Sequence, residues 1–286
     1  MEFVRRLLGK ETEPPVAEVV VPEELLDTGP TLVVGRASHI GRVRKRNEDA
    51  YFTLQATLSR NGEVFPFGLF LVADGMGGHK GGELASALTA RVVAEAVLRE
   101  FYLPWLTSGV EDVIPQRPVN EVILEAANEA NLAVQRVAPE AGTTLTFALI
   151  QGTNAYIAHV GDSRAYLIRQ GRLEQITQDH SLLARLIELG QILPEEAASH
   201  PQRNVLYKAI GQGSTLEVDF YLKSLPTNSY LLLCSDGLWG LIREERMAAI
   251  VRESSTPQEA CHGLVREANI RGGDDNITVI LVQVKG

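Results

Sequence analysis

The sequence is most constrained by a pattern of an apolar strand beside an Asp, which occurs three times. Residues 68–78 read GLFLVADGMGG, five apolar residues followed by Asp74 and Gly75. A short apolar run bounded by glycine predicts a buried strand, although one strand-Asp-Gly turn alone is common in structural hairpins. The pattern returns in residues 230–237 (YLLLCSDG), and Asp275 with Asn276 precedes a third apolar run, residues 277–284. Three carboxylates at the ends of buried strands predict one site for a hard cation.

The predicted ligands are all oxygens, which favours Mg²⁺ or Mn²⁺ over softer metals. An Asp such as Asp74 can bridge two such ions roughly 3.5–4 Å apart. The glycine-rich loop 75–82, GMGGHKGG, fits neither a dinucleotide fingerprint nor a P-loop. The mixed-charge segment 41–52, GRVRKRNEDAYF, is either a solvated loop or the source of an Arg that holds two phosphate oxygens.

Composition limits the class of protein. A chain of 286 residues is long enough for one large domain or two small ones, and a net charge of -9 argues against nucleic-acid binding. No apolar run approaches the ~20 residues of a membrane span, so we expect no stable membrane insertion. Cys234 and Cys261 lack metal-ligand spacing, which predicts reduced, buried thiols and a cytoplasmic protein. Residues 1–30, with four prolines, predict a flexible extension before a domain that spans 31–286.

Hydrophobic periodicity predicts paired helices and antiparallel strands. Amphipathic patterns predict helices over 81–101, 118–137, 181–189, 243–252 and 257–269. Strands are predicted over 143–150, 155–160, 164–168, 172–176, 216–222 and 230–235, several of them joined by hairpin signals. This order favours an α+β fold with antiparallel sheets over a doubly wound parallel fold.

Two further kinds of residue are candidates for the site. Asp162, in GDSRA, is not followed by a helix as a serine-hydrolase elbow requires, so it is either a hairpin Asp or another acid of the site. His79 is the histidine nearest the predicted site and is either a general acid or a structural loop residue. His159 is predicted to be a core residue, and His180 to begin a helix after Asp179, consistent with capping.

The sequence resembles the metal-dependent protein phosphatases of type 2C (the PPM family), particularly their single-domain bacterial members. The similarity covers the chain from about Thr31 to its end. The matching stretches, in the order of the family, are RVRKRNEDAYF, LVADGMGGHKGGELAS, AGTTLTFALI, AHVGDSRAYLIRQGRLEQITQDHSLL, HPQRNVLYKAIG, LLLCSDGLWGLI and GGDDNITVILVQV.

The resemblance implies an αββα sandwich of two antiparallel β-sheets flanked by pairs of antiparallel helices. It implies that Asp74 bridges two Mn²⁺ or Mg²⁺ ions and that the Gly75 carbonyl binds one of them. Asp236 and Asp275 would complete the other shell, and Asp162 with Asp236 would hold a third, weaker ion.

The remaining roles are implied in the same way. Asp49 would orient metal-bound water, and Arg44 would bind phosphate. Animal members carry a His where this chain has Met76, so the proton donor would be His79 or a metal-bound water. Residues of roughly 181–212 would form the variable flap, which in the family influences substrate choice.

The resemblance implies a phosphatase that acts on phosphoserine and phosphothreonine in proteins, by metal-activated water and without a phosphoenzyme intermediate. Its substrates would be targets of a Ser/Thr kinase, and we expect a monomer. One alternative is a pseudophosphatase that binds phosphorylated partners, which the loss of Asp74, Asp236 or Asp275 would have favoured. Another is a phosphatase dedicated to one regulatory factor or to small phosphoesters.

Overall fold

A computed structural model describes residues 29–60, 63–77, 80–107, 117–193, 196, 200–202, 204–213 and 215–286. Most of the predicted extension (1–30) and His79 lie outside these residues. The predictions for them therefore stay predictions.

Two antiparallel sheets form the centre of the fold. The first has the order β2-β3-β5-β6-β9, with β4 paired to β3, and the second has the order β1-β11-β10-β7-β8. The strands are β1 (Thr31–His39), β2 (Asp49–Arg60), β3 (Glu63–Met76), β4 (Gly142–Thr143), β5 (Leu145–Gln151), β6 (Asn154–Val160), β7 (Arg164–Arg169), β8 (Arg172–Gln175), β9 (Asp219–Ser224), β10 (Ser229–Cys234) and β11 (Ile277–Lys285).

Helices flank both sheets. In the described part of the chain they are α1 (Gly81–Val97), a π-helical turn (Leu98–Tyr102), α2 (Leu103–Thr107), α3 (Val119–Val137), α4 (Leu182–Glu188), α5 (Asp236–Trp239), α6 (Glu244–Glu253) and α7 (Pro257–Ile270).

Three apolar clusters show the order of the layers. One joins α1 and α3 to the first sheet, around Leu71 and Phe147. A second joins α6 and α7 to the second sheet, around Leu264 and Leu281. The third lies between the two sheets and includes Phe70. Because side chains alternate along a strand, Phe70 and Leu71 enter different clusters. The layers are therefore α, β, β and α, which confirms the fold that the resemblance implied.

Local sequence explains several connections. The turn between β7 and β8 consists of Gln170 and Gly171, which have φ values of 53° and 73°, as a two-residue hairpin of type I′ requires. Thr256 caps α7 by accepting a hydrogen bond from the Glu259 amide, and Pro257 occupies the first turn, where its missing N–H costs nothing. These signals are local, and the predicted hairpin and helix are confirmed.

The structure corrects four predictions. The strand before the glycine loop does not end at Asp74 but continues to Met76, because Gly75 and Met76 pair with β4. The sequence did not predict β2 as a strand, and β9 begins at Asp219 rather than at residue 216. The helix predicted to begin at His180 after Asp179 begins at Leu182, and Ser181 caps it by accepting from the Ala184 amide.

In the described part of the chain, no helix has both the length and the apolar character needed to span a membrane.

Candidate active site

Four aspartates from four separate segments meet in one cleft at an end of the sandwich. The cleft has a volume of about 460 Å³ and is lined by Asp74, Asp162, Asp236 and Asp275. Arg44 and other residues complete the lining, which includes Glu48, Gly75, Met76, Gly77, Thr144, Asn204 and Leu206. The structure thus brings together the acids that the sequence predicted to share a site.

Asp74 is fixed by main-chain pairing on both sides. It lies opposite Asp49 in the register of β2 and β3, so that the two acids are cross-strand neighbours. On the other side, its amide donates to Thr144 Oγ1 at 2.9 Å, and its carbonyl accepts from the Thr144 amide at 2.9 Å. Asp74 therefore has little freedom to move away from its neighbours in the cleft.

Gly75 occupies a position that a larger residue would not fit. A Cβ there would lie 2.2 Å from the Gly82 carbonyl oxygen and 2.6 Å from that of Glu48. The Gly75 amide donates to the Glu48 carbonyl at 3.1 Å. The missing side chain lets the loop before β2, β3 and the start of α1 converge behind the cleft.

Asp162 lies in a tight turn after β6. Gly161 has a φ of 106°, which is unfavourable for residues with a side chain. Its amide donates to His180 Nδ1 at 3.1 Å, and its carbonyl accepts from the His180 amide at 2.7 Å. The Asp162 carbonyl accepts from the Trp239 indole at 2.9 Å. These bonds hold the buried Asp162 side chain at the edge of the cleft.

Asp236 and Asp275 are brought together by a second glycine contact. Asp236 begins α5 directly after β10, and Asp275 precedes β11. A Cβ on Gly237 would lie 2.1 Å from the Asn276 carbonyl oxygen. Glycine thus permits the close approach of the two segments that carry these acids.

The sequence predicted no role for Asn276. In the structure its side chain anchors the loop between β1 and β2, which carries Arg44. Its Oδ1 accepts from the Glu48 amide at 2.7 Å, and its Nδ2 donates to the carbonyls of Ile40 and Arg46 at 2.9 and 2.8 Å. The side chain is buried. These three bonds tie both ends of the loop to the start of β11.

Asp49 is oriented by a hydroxyl that the sequence reasoning also missed. The Ser235 hydroxyl donates to Asp49 Oδ2 at 2.9 Å and accepts from the Thr278 amide at 2.9 Å. Asp49 Oδ1 is buried and has no hydrogen-bond partner among the described residues. One carboxylate oxygen is thus fixed, while the other is available as an acceptor.

The raised pKa values of these acids show that their ionised forms are unfavourable when no cation is bound. Burial, followed by repulsion from neighbouring carboxylates, raises the pKa of Asp49 to about 7 and that of Asp236 to about 6. Burial and the same repulsion raise the pKa of Asp74 and of Asp162 well above the usual value for Asp. Clustered carboxylates of this kind need positive charge to stay ionised at neutral pH.

The donor set fits a hard divalent cation. Asp236 Oδ1, like Asp49 Oδ1, is buried and has no hydrogen-bond partner among the described residues. Within those residues, no group of three or more His, Cys, Asp or Glu side chains is already arranged to hold a metal ion by itself. Mg²⁺ keeps several waters and uses only one or two carboxylates at a site. An open cluster of carboxylates therefore suits such ions better than it suits zinc.

Arg44 lies at the mouth of the cleft, with 47% of its side chain exposed. Its Nη2 donates to Asp275 Oδ2 at 2.5 Å, and its pKa is raised by this hydrogen bond. Burial raises the pKa of Glu48 above its usual value. The described rim thus carries a cation, Arg44, beside the cluster of acids.

Two other histidines have the structural roles of packed side chains. His159 is fully buried, as predicted, with Thr146 Oγ1 and the Gln178 carbonyl as its partners at 3.0 Å each. Burial lowers the pKa of His159 to about 3, so it stays neutral. His180 packs against His159 with ring centroids 4.9 Å apart. Neither lines the cleft.

The chain was compared with known proteins. Residues 37–269 match the family described as protein phosphatase 2C. The serine/threonine phosphatase Stp of Listeria monocytogenes is 36% identical over 254 residues, which cover 85% of this chain and 92% of that protein. The protein phosphatase PhpP of Streptococcus pneumoniae is 35% identical over 247 residues, with 86% and 94% covered.

Solved structures of similar fold are also serine/threonine phosphatases. The serine/threonine phosphatase of S. agalactiae has a TM-score of 0.75 and 32% identity, covering 89% of this chain and all of the other. The catalytic domain of the phosphatase PstP in complex with two manganese ions has a TM-score of 0.69 and 28% identity, covering 90% and 100%. The chain belongs to the protein phosphatase 2C family.

Proposed function

We propose that the protein hydrolyses phosphoserine and phosphothreonine in other proteins, using Mn²⁺ or Mg²⁺ held in the acidic cleft. The observation that carries this proposal is the convergence of Asp74, Asp162, Asp236 and Asp275 in one cleft with Arg44 at its mouth. Relatives that this chain matches over most of its length are named serine/threonine phosphatases. Their names support the choice of phosphoproteins as substrates.

The proposed ligands follow the positions of the acids. Asp74 would be shared by two ions, with the Gly75 carbonyl on one of them and Asp236 with Asp275 on the other. Asp162 and Asp236 would hold a third ion more weakly. When bound, such ions lower the pKa of a coordinated water and neutralise charge on the phosphoryl group. The two manganese ions in the PstP structure support the first two sites.

The side chains around the metals would orient the reactants. Asp49 Oδ1 would accept a hydrogen bond from the attacking water, because Ser235 already fixes the other oxygen. Arg44 would exchange Asp275 for two phosphate oxygens, which its planar guanidinium suits.

Direct attack by water is supported by the lining of the cleft. Thr144 is the only hydroxyl-bearing side chain among the described lining residues. Its Oγ1 accepts from the Asp74 amide and lies 2.8 Å from Ser163 Oγ, so it is held inside the structure. We propose His79 or a coordinated water as the donor of the leaving-group proton.

The proposed setting is a monomer in the cytoplasm that reverses the action of a Ser/Thr kinase. One observation bears on the compartment and another on the class of partner. Cys234 and Cys261 are both buried and unpaired, as is usual for proteins of a reducing compartment. The net charge of -9 disfavours nucleic acid as a partner. Sedimentation velocity of the purified chain would test the monomer.

Phosphate release from a phosphothreonine peptide tests the activity. We expect release with Mn²⁺ or Mg²⁺ and none with excess chelator. If folded protein releases no phosphate with either ion, the proposal is wrong, and capture of phosphorylated partners becomes the function to test.

A further inference from the structure

A second cavity lies beside the metal cleft, and the activity proposed above uses only the acids that the two cavities share. It has a volume of about 430 Å³, within the range of roughly 300–1,000 Å³ that is usual for clefts that bind small ligands. Asp162, Asn204, Asp236 and Asp275 line both cavities. A peptide whose phosphate lies in the metal cleft could therefore extend directly into the second cavity.

One wall of this cavity is apolar and comes from helix α4. Leu183, Ala184 and Ile187 line it. Ile187 follows Leu183 by four residues and Ala184 by three, so the three side chains lie on one side of the helix. Leu183 is buried, while Ala184 and Ile187 are partly exposed. A partly exposed apolar surface in a concave site gains free energy when an apolar group covers it.

Trp239 and Leu241 also line the cavity, and the Trp239 side chain is held in place. The Trp239 indole donates to the Asp162 carbonyl at 2.9 Å, and the Arg164 guanidinium lies 3.6 Å from the centroid of its ring. A wall that is already ordered costs little conformational entropy on binding.

The charge of the cavity disfavours acidic side chains. Arg164 is the one basic residue among the described lining residues. Asp179 neutralises it through two hydrogen bonds of 2.8 and 2.7 Å. The exposed Asp274 adds negative charge. An incoming carboxylate would lose water without gaining an unpaired basic side chain among the described lining residues.

We propose that this cavity binds an apolar side chain of the phosphoprotein, within three residues of the phosphorylated one. The inference rests on the proposed function and makes the α4 wall a determinant of substrate choice. Asn204 lies at the junction of the two cavities, with no hydrogen bond to its side chain among the described residues. It is placed to bind the peptide backbone between the two side chains.

The test compares phosphothreonine peptides that differ at one position. Leu, Ala and Glu are placed in turn at each position within three residues of the phosphothreonine, and kcat/KM is measured with Mn²⁺. A good apolar subsite separates Leu from Ala by about 10-fold or more at one position, and Glu should be the poorest. p-Nitrophenyl phosphate, which has no side chain to place in the cavity, is the reference substrate.

The variant Ile187→Glu places a charge on the apolar wall. We expect it to reduce the ratio of kcat/KM for the Leu and Ala peptides to near one, while turnover of p-nitrophenyl phosphate changes less than about twofold. The matched control is Leu189→Glu, which follows α4, is 53% exposed and does not line the cavity. The control should keep the wild-type ratio.

The outcomes separate the two proposals. No turnover of any of the phosphothreonine peptides by folded protein, with Mn²⁺ or with Mg²⁺, would overturn the proposed function itself. Turnover without any preference for Leu, a preference for Glu, or a preference for Leu that Ile187→Glu leaves intact would overturn the apolar subsite and leave the phosphatase activity standing.

Discussion

The substitution Asn276→Ala is predicted to loosen the loop that carries Arg44. It removes the side-chain partners of the Glu48 amide and of the carbonyls of Ile40 and Arg46, three hydrogen bonds of 2.7–2.9 Å. Each is worth about 1 kcal/mol net, and more where the remaining group stays buried. The free energy of unfolding should therefore fall by about 2–4 kcal/mol.

Equilibrium unfolding in urea with chelator measures this change without the contribution of metal binding. Asn128→Ala is the matched control, because Asn128 is exposed on α3 and donates one hydrogen bond, to the Leu124 carbonyl. The control should change stability by less than about 0.5 kcal/mol. With Mn²⁺ present, Asn276→Ala should also raise KM for a phosphopeptide. A loss of less than about 1 kcal/mol would contradict the role of Asn276 as an anchor.

The further predictions concern the proposed chemistry. Arg44→Ala should raise KM for phosphopeptides more than it lowers kcat if the guanidinium binds the phosphate of the ground state, as proposed. Unchanged steady-state kinetics would mean that Arg44 is only a solvated residue at the rim. The pKa values of Asp49 (about 7) and Asp236 (about 6) in the fold lie above the usual 3.8. Between pH values of about 4 and 7, the metal-free native state therefore binds more protons than the unfolded chain, and the free energy of unfolding should fall as pH rises through this range. Mn²⁺ needs ionised ligands, so the Mn²⁺-induced rise in Tm should be larger at pH 8 than at pH 5, and equal rises at both values would count against the acids as ligands. His79→Gln should slow hydrolysis of a phosphothreonine peptide more than that of p-nitrophenyl phosphate, whose leaving group needs no proton; equal slowing would remove His79 as the acid.

The sequence predicted the elements whose signals are local. Continuous apolar runs identified β10 and β11, and helical spacing identified α3 and α7, because burial on one or both faces leaves a periodic trace in the chain. Strand β2 left a weaker trace. Its residues alternate only partly, and its pairing with β3 becomes visible only when the partner strand is known. The predicted end of β3 at Asp74 was wrong for a related reason, because the pairing of Gly75 and Met76 depends on β4.

The residues of the candidate site likewise fall into those that local sequence predicts and those that only the fold reveals. The acids could be predicted because Asp at the end of an apolar strand is visible in the sequence. Asn276 and Ser235 could not, because their partners lie 228 and 186 residues away in the chain. Nothing in their local sequence separates a buried hydrogen-bond anchor from an ordinary polar residue. The tertiary fold creates these roles, and only the fold reveals them.

Calorimetric titration of Mn²⁺ tests the central claim, that the aspartates of this cleft hold the metal ions. Wild-type protein and the variants Asp236→Asn and Asp274→Asn are compared after removal of metal. Asn keeps the shape of Asp236 and removes its charge, while Asp274 is exposed and lies outside the metal cleft. We predict two bound ions for the wild type and for Asp274→Asn, and the loss of at least one from a folded Asp236→Asn. Unchanged stoichiometry and affinity in Asp236→Asn would contradict the account.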